Sequence, residues 1–225
     1  MCGRFDNIIE RESYYSLFNV LRLPASIGPM RYNVRPDDQI PIVRGDEIGW
    51  DREVILARWG LAPAWMGQRP KVRHITARSE TVHELAIFRD AFAHRRCLIP
   101  ATGFYQWELR LGERQPWRFV RRDLEPFAFA GIWEQAQSAG GDVLSTAIIV
   151  GDPSSIVAAI RDPMPVVIAQ ADYQAWLDPI ATVEEAHALL KPFDEGSMTA
   201  YQVGRAVNSA GNDAPECIAP RSRAW

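Results

Sequence analysis

The chain has 225 residues, of which 47% are hydrophobic, 24% charged and 10% aromatic, with a formal net charge of −3. That length and apolar fraction fit one large domain or two small ones with a real core, and sixteen scattered prolines without a heptad or triplet period exclude collagen, coiled coil and disorder. No apolar run approaches the roughly 18 residues of a membrane span, and Met1–Phe5 begins no apolar leader, so a cytoplasmic protein without a membrane partner is expected.

The three cysteines, Cys2, Cys97 and Cys217, lie far apart without a C-x-x-C, so neither a disulfide framework nor a structural zinc site is expected. His74, His83, His94 and His187 lack metal-binding spacing, and the sequence implies no cofactor. Charge is uneven. Residues 58 to 122 hold 13 basic and 5 acidic side chains, leaving 12 basic and 23 acidic elsewhere. Only Lys71 and Lys191 among the basic residues are lysine; the rest are arginine, whose planar fork grips phosphate oxygens in pairs. A basic middle in an acidic chain fits a phosphate-contacting groove, and equally an ordinary solvated face.

Tyr14, Leu17, Phe18 and Leu21 recur at helical spacing and predict a helix within 10–22. A second helix is expected over 82–95, with Thr81 and Glu84 as a capping box and Leu85, Phe88 and Phe92 as its apolar stripe. Short apolar runs then predict strands at Cys97–Pro100, Phe104–Leu109, Trp117–Val120, Phe127–Trp133, Leu144–Val150 and Val166–Ala169, with a hairpin turn at 110–113. Tyr173–Leu177 and 183–191, the latter capped by Thr182 and Glu185, predict two late helices. Strands without regular intervening helices point to an antiparallel α+β fold in a single domain spanning 1–225.

No G-x-S-x-G elbow, P-loop or dinucleotide fingerprint is present. Cys2 carries the chemical interest. Once Met1 is removed, residue 2 presents an α-amine of pKa about 7.7–8.0 beside a thiol of about 8.5. Such a 1,2-aminothiol attacks an aldehyde as an imine and closes to a thiazolidine, which neither a buried cysteine nor a serine can do.

Eight segments occur in order: Met1-Cys2-Gly3-Arg4-Phe5, Arg31-Tyr32-Asn33-Val34-Arg35-Pro36, Trp59-Gly60-Leu61-Ala62-Pro63-Ala64-Trp65, Ala77-Arg78-Ser79-Glu80-Thr81, residues 95–107, Ala130-Gly131-Ile132-Trp133-Glu134, Asp162-Pro163-Met164-Pro165 and Val207-Asn208-Ser209. Together they resemble the SOS-response-associated peptidase (SRAP) family of abasic-site processing proteins, from residue 2 to about residue 220. The resemblance implies barrel-like β-sheets with flanking helices, a groove for single-stranded DNA carrying abasic sites, a monomer in the cytoplasm that joins the nucleoid on DNA, and crosslinking through Cys2. It places Arg4 and Arg78 on backbone phosphates, Pro36 and Trp65 where DNA bends or stacks, and Asn33 among the DNA-binding positions.

The same resemblance exposes three departures. Its catalytic Asn, Glu and His positions are here Thr76, Gln106 and Arg161. Thr76 offers one hydroxyl in place of an amide, Gln106 exchanges no proton at neutral pH, and Arg161 is no base. Strand spacing nominates His74 or Glu108 as a neighbour that would partly replace the lost base. Three readings stay open: a crosslinker relying on Cys2 and positioning, a relative that holds DNA without crosslinking, and an amidohydrolase with an N-terminal cysteine.

Overall fold

A computed structural model describes residues 3–46, 51–63, 65, 74–110, 112–138, 141–153, 160 and 163–221. Its strands are β1 (Phe5–Asn7), β2 (Arg31–Val34), β3 (Gln39–Gly45), β4 (Arg52–Trp59), β5 (Thr76–Arg78), β6 (Arg96–Ala101), β7 (Gly103–Arg110), β8 (Glu113–Arg121), β9 (Phe127–Ser138), β10 (Gly141–Gly151), β11 (Met164–Pro165), β12 (Val167–Ile168) and β13 (Met198–Gln202). The α-helices are α1 (Ser13–Phe18), α2 (Arg89–His94), α3 (Tyr173–Leu177) and α4 (Val183–Ala188).

The fold is α+β and mostly antiparallel, in two sheets. One runs β13-β8-β7-β1-β2; in the other, β10-β4-β3-β6-β9 closes on itself because β9 pairs back to β10. Closure removes the edges that an open sheet would leave unpaired. Two pairings depart from the antiparallel expectation: β4 and β5 both run parallel to β10. Contacts of such long sequence separation leave no local signal.

Alternation on the ring strands feeds two cores. Ile42, Cys97, Phe129 and Ile148 turn towards the five-stranded sheet, where Phe5, Phe104 and Phe119 meet them. Phe5 lies edge-on to Trp59 and Phe129 with centroids 5.2 and 5.7 Å away, and Phe104 stacks on Phe119 at 4.9 Å. Val43, Leu98, Ala130 and Ile149 face the opposite way, onto Tyr14 and Phe18 of α1, Phe92 of α2 and Trp176 of α3.

The predicted strands from 97 onward are all present, and β7 and β8 form the expected hairpin, with Gly112 at φ 81 in its turn. α3 has its predicted limits, and Thr182 and Glu185 make a complete capping box on α4. Three helices are shorter than predicted, α4 stopping at Ala188 rather than at 191. α1 ends at Phe18 because Asn19 turns left-handed (φ 50). The 82–95 helix begins only at Arg89: Thr81 gives its carbonyl, not its hydroxyl, to the Glu84 and Leu85 amides, so the expected box is a plain turn. Upstream, Ser79 is pinned by its amide to Val150 and by its carbonyl to His187 Nε2 at 3.0 Å, which fixes the chain's entry before any helix can start. β1–β4, β11 and β13 carry no prediction.

Candidate functional site

Strand β1 is only three residues long, and side chains hold it in place. Asp6 is sealed inside, its carboxylate taking two hydrogen bonds from Arg118, at 2.9 and 2.7 Å, and one from the Thr102 hydroxyl at 2.5 Å. Arg118 also donates to the Tyr201 hydroxyl at 2.7 Å. Although burial works against the Arg118 charge, the Asp6 carboxylate outweighs it and holds the guanidinium above its ordinary pKa. Gly103 is required beside this pair, since a Cβ there would come within 2.8 Å of Asp6 Oδ2 and 3.0 Å of the Phe119 carbonyl.

A second assembly lies at the rim. Arg4 donates to Asn33 Oδ1 at 2.8 Å and to the Val207 carbonyl at 3.0 Å. Asn33, 1% exposed, donates its amide to the carbonyls of Val207, Ser209 and Asn212. Asp213 accepts from the Tyr32 and Asn33 amides at 2.6 and 2.8 Å and pairs with Arg31. The segment after β13 is thereby clasped to β1 and β2. Asn33 is committed to this clasp.

The clasp builds an open cleft of about 410 Å³ lined by Gly3, Arg4, Trp107, Arg114 and Asn208. The Trp107 indole donates to Asn208 Oδ1 at 2.7 Å, fixing the ring in the wall. Arg114 is exposed and makes no ion pair among the described residues. Burial, then the Arg35 charge, lower the Arg4 pKa.

Gln106 precedes Trp107 on β7 and turns to the opposite face of the sheet, wholly buried. Its Nε2 donates to the Pro163 carbonyl at 3.0 Å, while Oε1 has no hydrogen-bond partner among the described residues. Thr76 reaches the same core from the other sheet, since it sits beside Ile148 in the β5–β10 register. Arg78 follows beside Val150, which also pairs with Pro165 of β11. Sheet register and one hydrogen bond thus gather Gln106, Thr76, Arg78 and the 163–165 segment at one end of the ring. Cys2 and Arg161 lie outside the described residues. Arg78 is exposed and makes no ion pair among the described residues.

Other expected residues lie elsewhere. Pro36 forms the crest of a turn in which the Asp38 amide returns to the Arg35 carbonyl and Asp37 adopts φ 76. Trp65, 68% exposed, borders a larger open cleft of about 770 Å³ shared with Ile87, Arg95 and Trp133. His74 precedes β5, so the shared-face spacing does not apply; its ring lies edge-on to Phe88, and burial lowers its pKa. Glu108 accepts from the Trp117 indole at 3.0 Å. Sequence reasoning missed Arg114, which carries no signal beyond its place in the basic stretch. It also gave no role to Trp107 or Asn208, although both lie in quoted segments.

An N-terminal strand locked into a β-sheet beside an arginine-lined cleft, joined by a clasped C-terminal segment, defines a fold with known members. A family model described as SOS response associated peptidase (SRAP) matches residues 1–210, and the chain belongs to that family. It is 36% identical over 224 residues to the abasic site processing protein YoqW of Bacillus subtilis, covering 97% of this chain and 99% of that one. It is 28% identical to mouse abasic site processing protein HMCES, over 98% of this chain and 76% of the relative. A crystal structure of a Bacteroides thetaiotaomicron protein superposes with a TM-score of 0.83 at 26% identity, covering 97% of this chain and 100% of that one.

Proposed function

We propose that this protein processes abasic sites in single-stranded DNA, forming a thiazolidine crosslink through the α-amine and thiol of Cys2 after Met1 is removed. The observation that carries the reading is the cleft at Gly3, one residue from that cysteine, with Arg4 and Arg114 for phosphates and the fixed Trp107 ring for a base. Aromatic stacking is sequence-tolerant, as damage recognition requires. Relatives aligned over nearly the whole chain carry the name abasic site processing protein.

The ring-opened abasic sugar is an aldehyde. The amine adds to it, water leaves as the imine forms, and the thiol adds across the imine to close the ring, its proton passing to nitrogen. Positioning is the main contribution available. Thr76 supplies a hydroxyl, Gln106 an amide and Arg161 a fixed positive charge, so none shuttles protons at neutral pH. Arg78, Pro36, Trp65 and Asn33 complete the proposed path of the strand, with Asn33 acting through the clasp. The protein acts as a monomer and needs no cofactor.

A second reading follows from the same three substitutions: a relative that holds single-stranded DNA without bonding to it. Met1-free protein mixed with an oligonucleotide bearing one abasic site decides between them on a denaturing gel. A heat-stable band that disappears in Cys2→Ala supports crosslinking. Salt-sensitive binding on a native gel without that band supports the second reading, and no binding at all rejects both.

A further inference from the structure

Arg78 stands at the end of β5, where the chain leaves the sheet, and its side chain is exposed. A long side chain already loses rotamer freedom when it grips a phosphate, so its backbone must be held for the grip to be worth much. Behind Arg78 the chain is held, because Ala77 and Arg78 pair with Ile149 and Val150 of β10. Ahead of it the chain turns at once, the Thr81 amide returning to the Arg78 carbonyl at 3.1 Å. One isolated turn is not self-supporting, since it fixes several dihedral angles for a single hydrogen bond.

Ser79 supports the turn. Its amide donates to the Val150 carbonyl at 2.8 Å, and its hydroxyl oxygen lies 2.8 Å from where a Cβ on Gly151 would stand, so it packs on bare backbone. Its carbonyl accepts from His187 Nε2 at 3.0 Å. A carbonyl only accepts, so Nε2 carries the proton. The first two holds come from β10, which already pairs with β5. The third crosses from α4, 108 residues away in the chain. The Thr182–Glu185 box fixes where α4 starts and so which way His187 points. Its ring is braced by His83, edge-on at 4.7 Å, and by Phe92 at 6.4 Å. No step of the proposed chemistry uses His187.

We infer that His187 is a positioning residue for Arg78: by holding the Ser79 carbonyl, it keeps the guanidinium where a backbone phosphate of single-stranded DNA is met. His187 itself touches no DNA. The inference rests on the proposed function only in taking Arg78 as a phosphate contact, and it requires neither Cys2 nor an abasic site.

Binding of undamaged single-stranded DNA tests it, with wild type, His187→Ala, Arg78→Ala and the double variant. His187→Ala is expected to weaken binding about fivefold, as loss of one hydrogen bond loosens the turn. Its log–log salt slope should fall towards that of Arg78→Ala, which lacks one phosphate contact worth about 0.7. In the Arg78→Ala background the same change is expected to do nothing further. His187→Gln, whose amide nitrogen stands near the place of Nε2, is expected to restore both affinity and slope. Amide exchange at Ser79 and Thr81 should rise about fivefold in His187→Ala while β9 is unchanged, which separates local loosening from a general one. Equal losses with and without Arg78, or an unchanged slope in His187→Ala, overturn the inference even if abasic DNA is crosslinked. Wild-type affinity and slope in Arg78→Ala also overturn it and take Arg78 off the strand's path. The expected cycle without any crosslink upholds His187 and removes only the DNA chemistry.

Discussion

Two polar assemblies flank the same short strand, and they work differently. The Asp6–Arg118 pair is sealed on the face of the five-stranded sheet that Tyr105 shares, with the Thr102 and Tyr201 hydroxyls filling out its hydrogen bonds. The clasp of Arg4, Asn33, Arg31 and Asp213 sits partly in water and spends its bonds mainly on main-chain groups from 207 to 213 and from 32 to 33. The interior pair must be complete, because low dielectric makes any unpaired member costly. The rim clasp can lose one member to solvent. The first therefore fixes where β1 lies, and the second fixes which distant segment walls the cleft beside it.

The sharpest way to break this comparison is Asp6→Ala. It strands the Arg118 charge and is expected to cost about 3–5 kcal/mol in denaturant unfolding. A cost below 1 kcal/mol would mean that water reaches the pair. At the rim, Asp213→Ala releases two amides and one arginine that solvent partly re-satisfies, so about 1–3 kcal/mol is expected. Its more telling effect is faster amide hydrogen exchange at Tyr32 and Asn33, with little change at Arg118.

The interior's intolerance of charge extends to Cys97, whose thiol burial pushes up to about 12 from an ordinary 9.0. Between those values the unfolded chain has released the proton and the folded chain has not, so stability falls as pH rises. At pH 10 the loss from this group is on the order of 1 kcal/mol, and Cys97→Ala is expected to flatten the wild-type decline between pH 8.5 and 10.5 by about 1–2 kcal/mol. The smallest effect is expected at Arg114→Ala, which leaves stability unchanged and weakens single-stranded DNA binding severalfold. The log–log salt slope should fall by about 0.7, the share of one phosphate contact. An unchanged slope would take Arg114 out of the interface.

The same four-residue signal shows how far local pattern reaches. Thr182-x-x-Glu185 and Thr81-x-x-Glu84 are equivalent on paper, yet only the first makes its box, because Ser79 is already held by β10 and by His187. Likewise the motif around Gln106 was legible, but its burial and its idle oxygen were not. Those depend on Pro163, 57 residues away in the chain. Asn33 stood in a recognisable segment, while its role as a clasp depends on carbonyls more than 170 residues distant.

The sequence by itself determined the family, the β7–β8 hairpin, α3 and the capped start of α4, because these follow from side-chain type, motif order and near-neighbour spacing. The tertiary structure alone decided the closed ring, the parallel approach of β4 and β5 to β10, and which polar groups are sealed and which stay wet. Those outcomes are set by partners far along the chain, and burial, the quantity that turns a polar residue into an anchor, exists only once those partners meet.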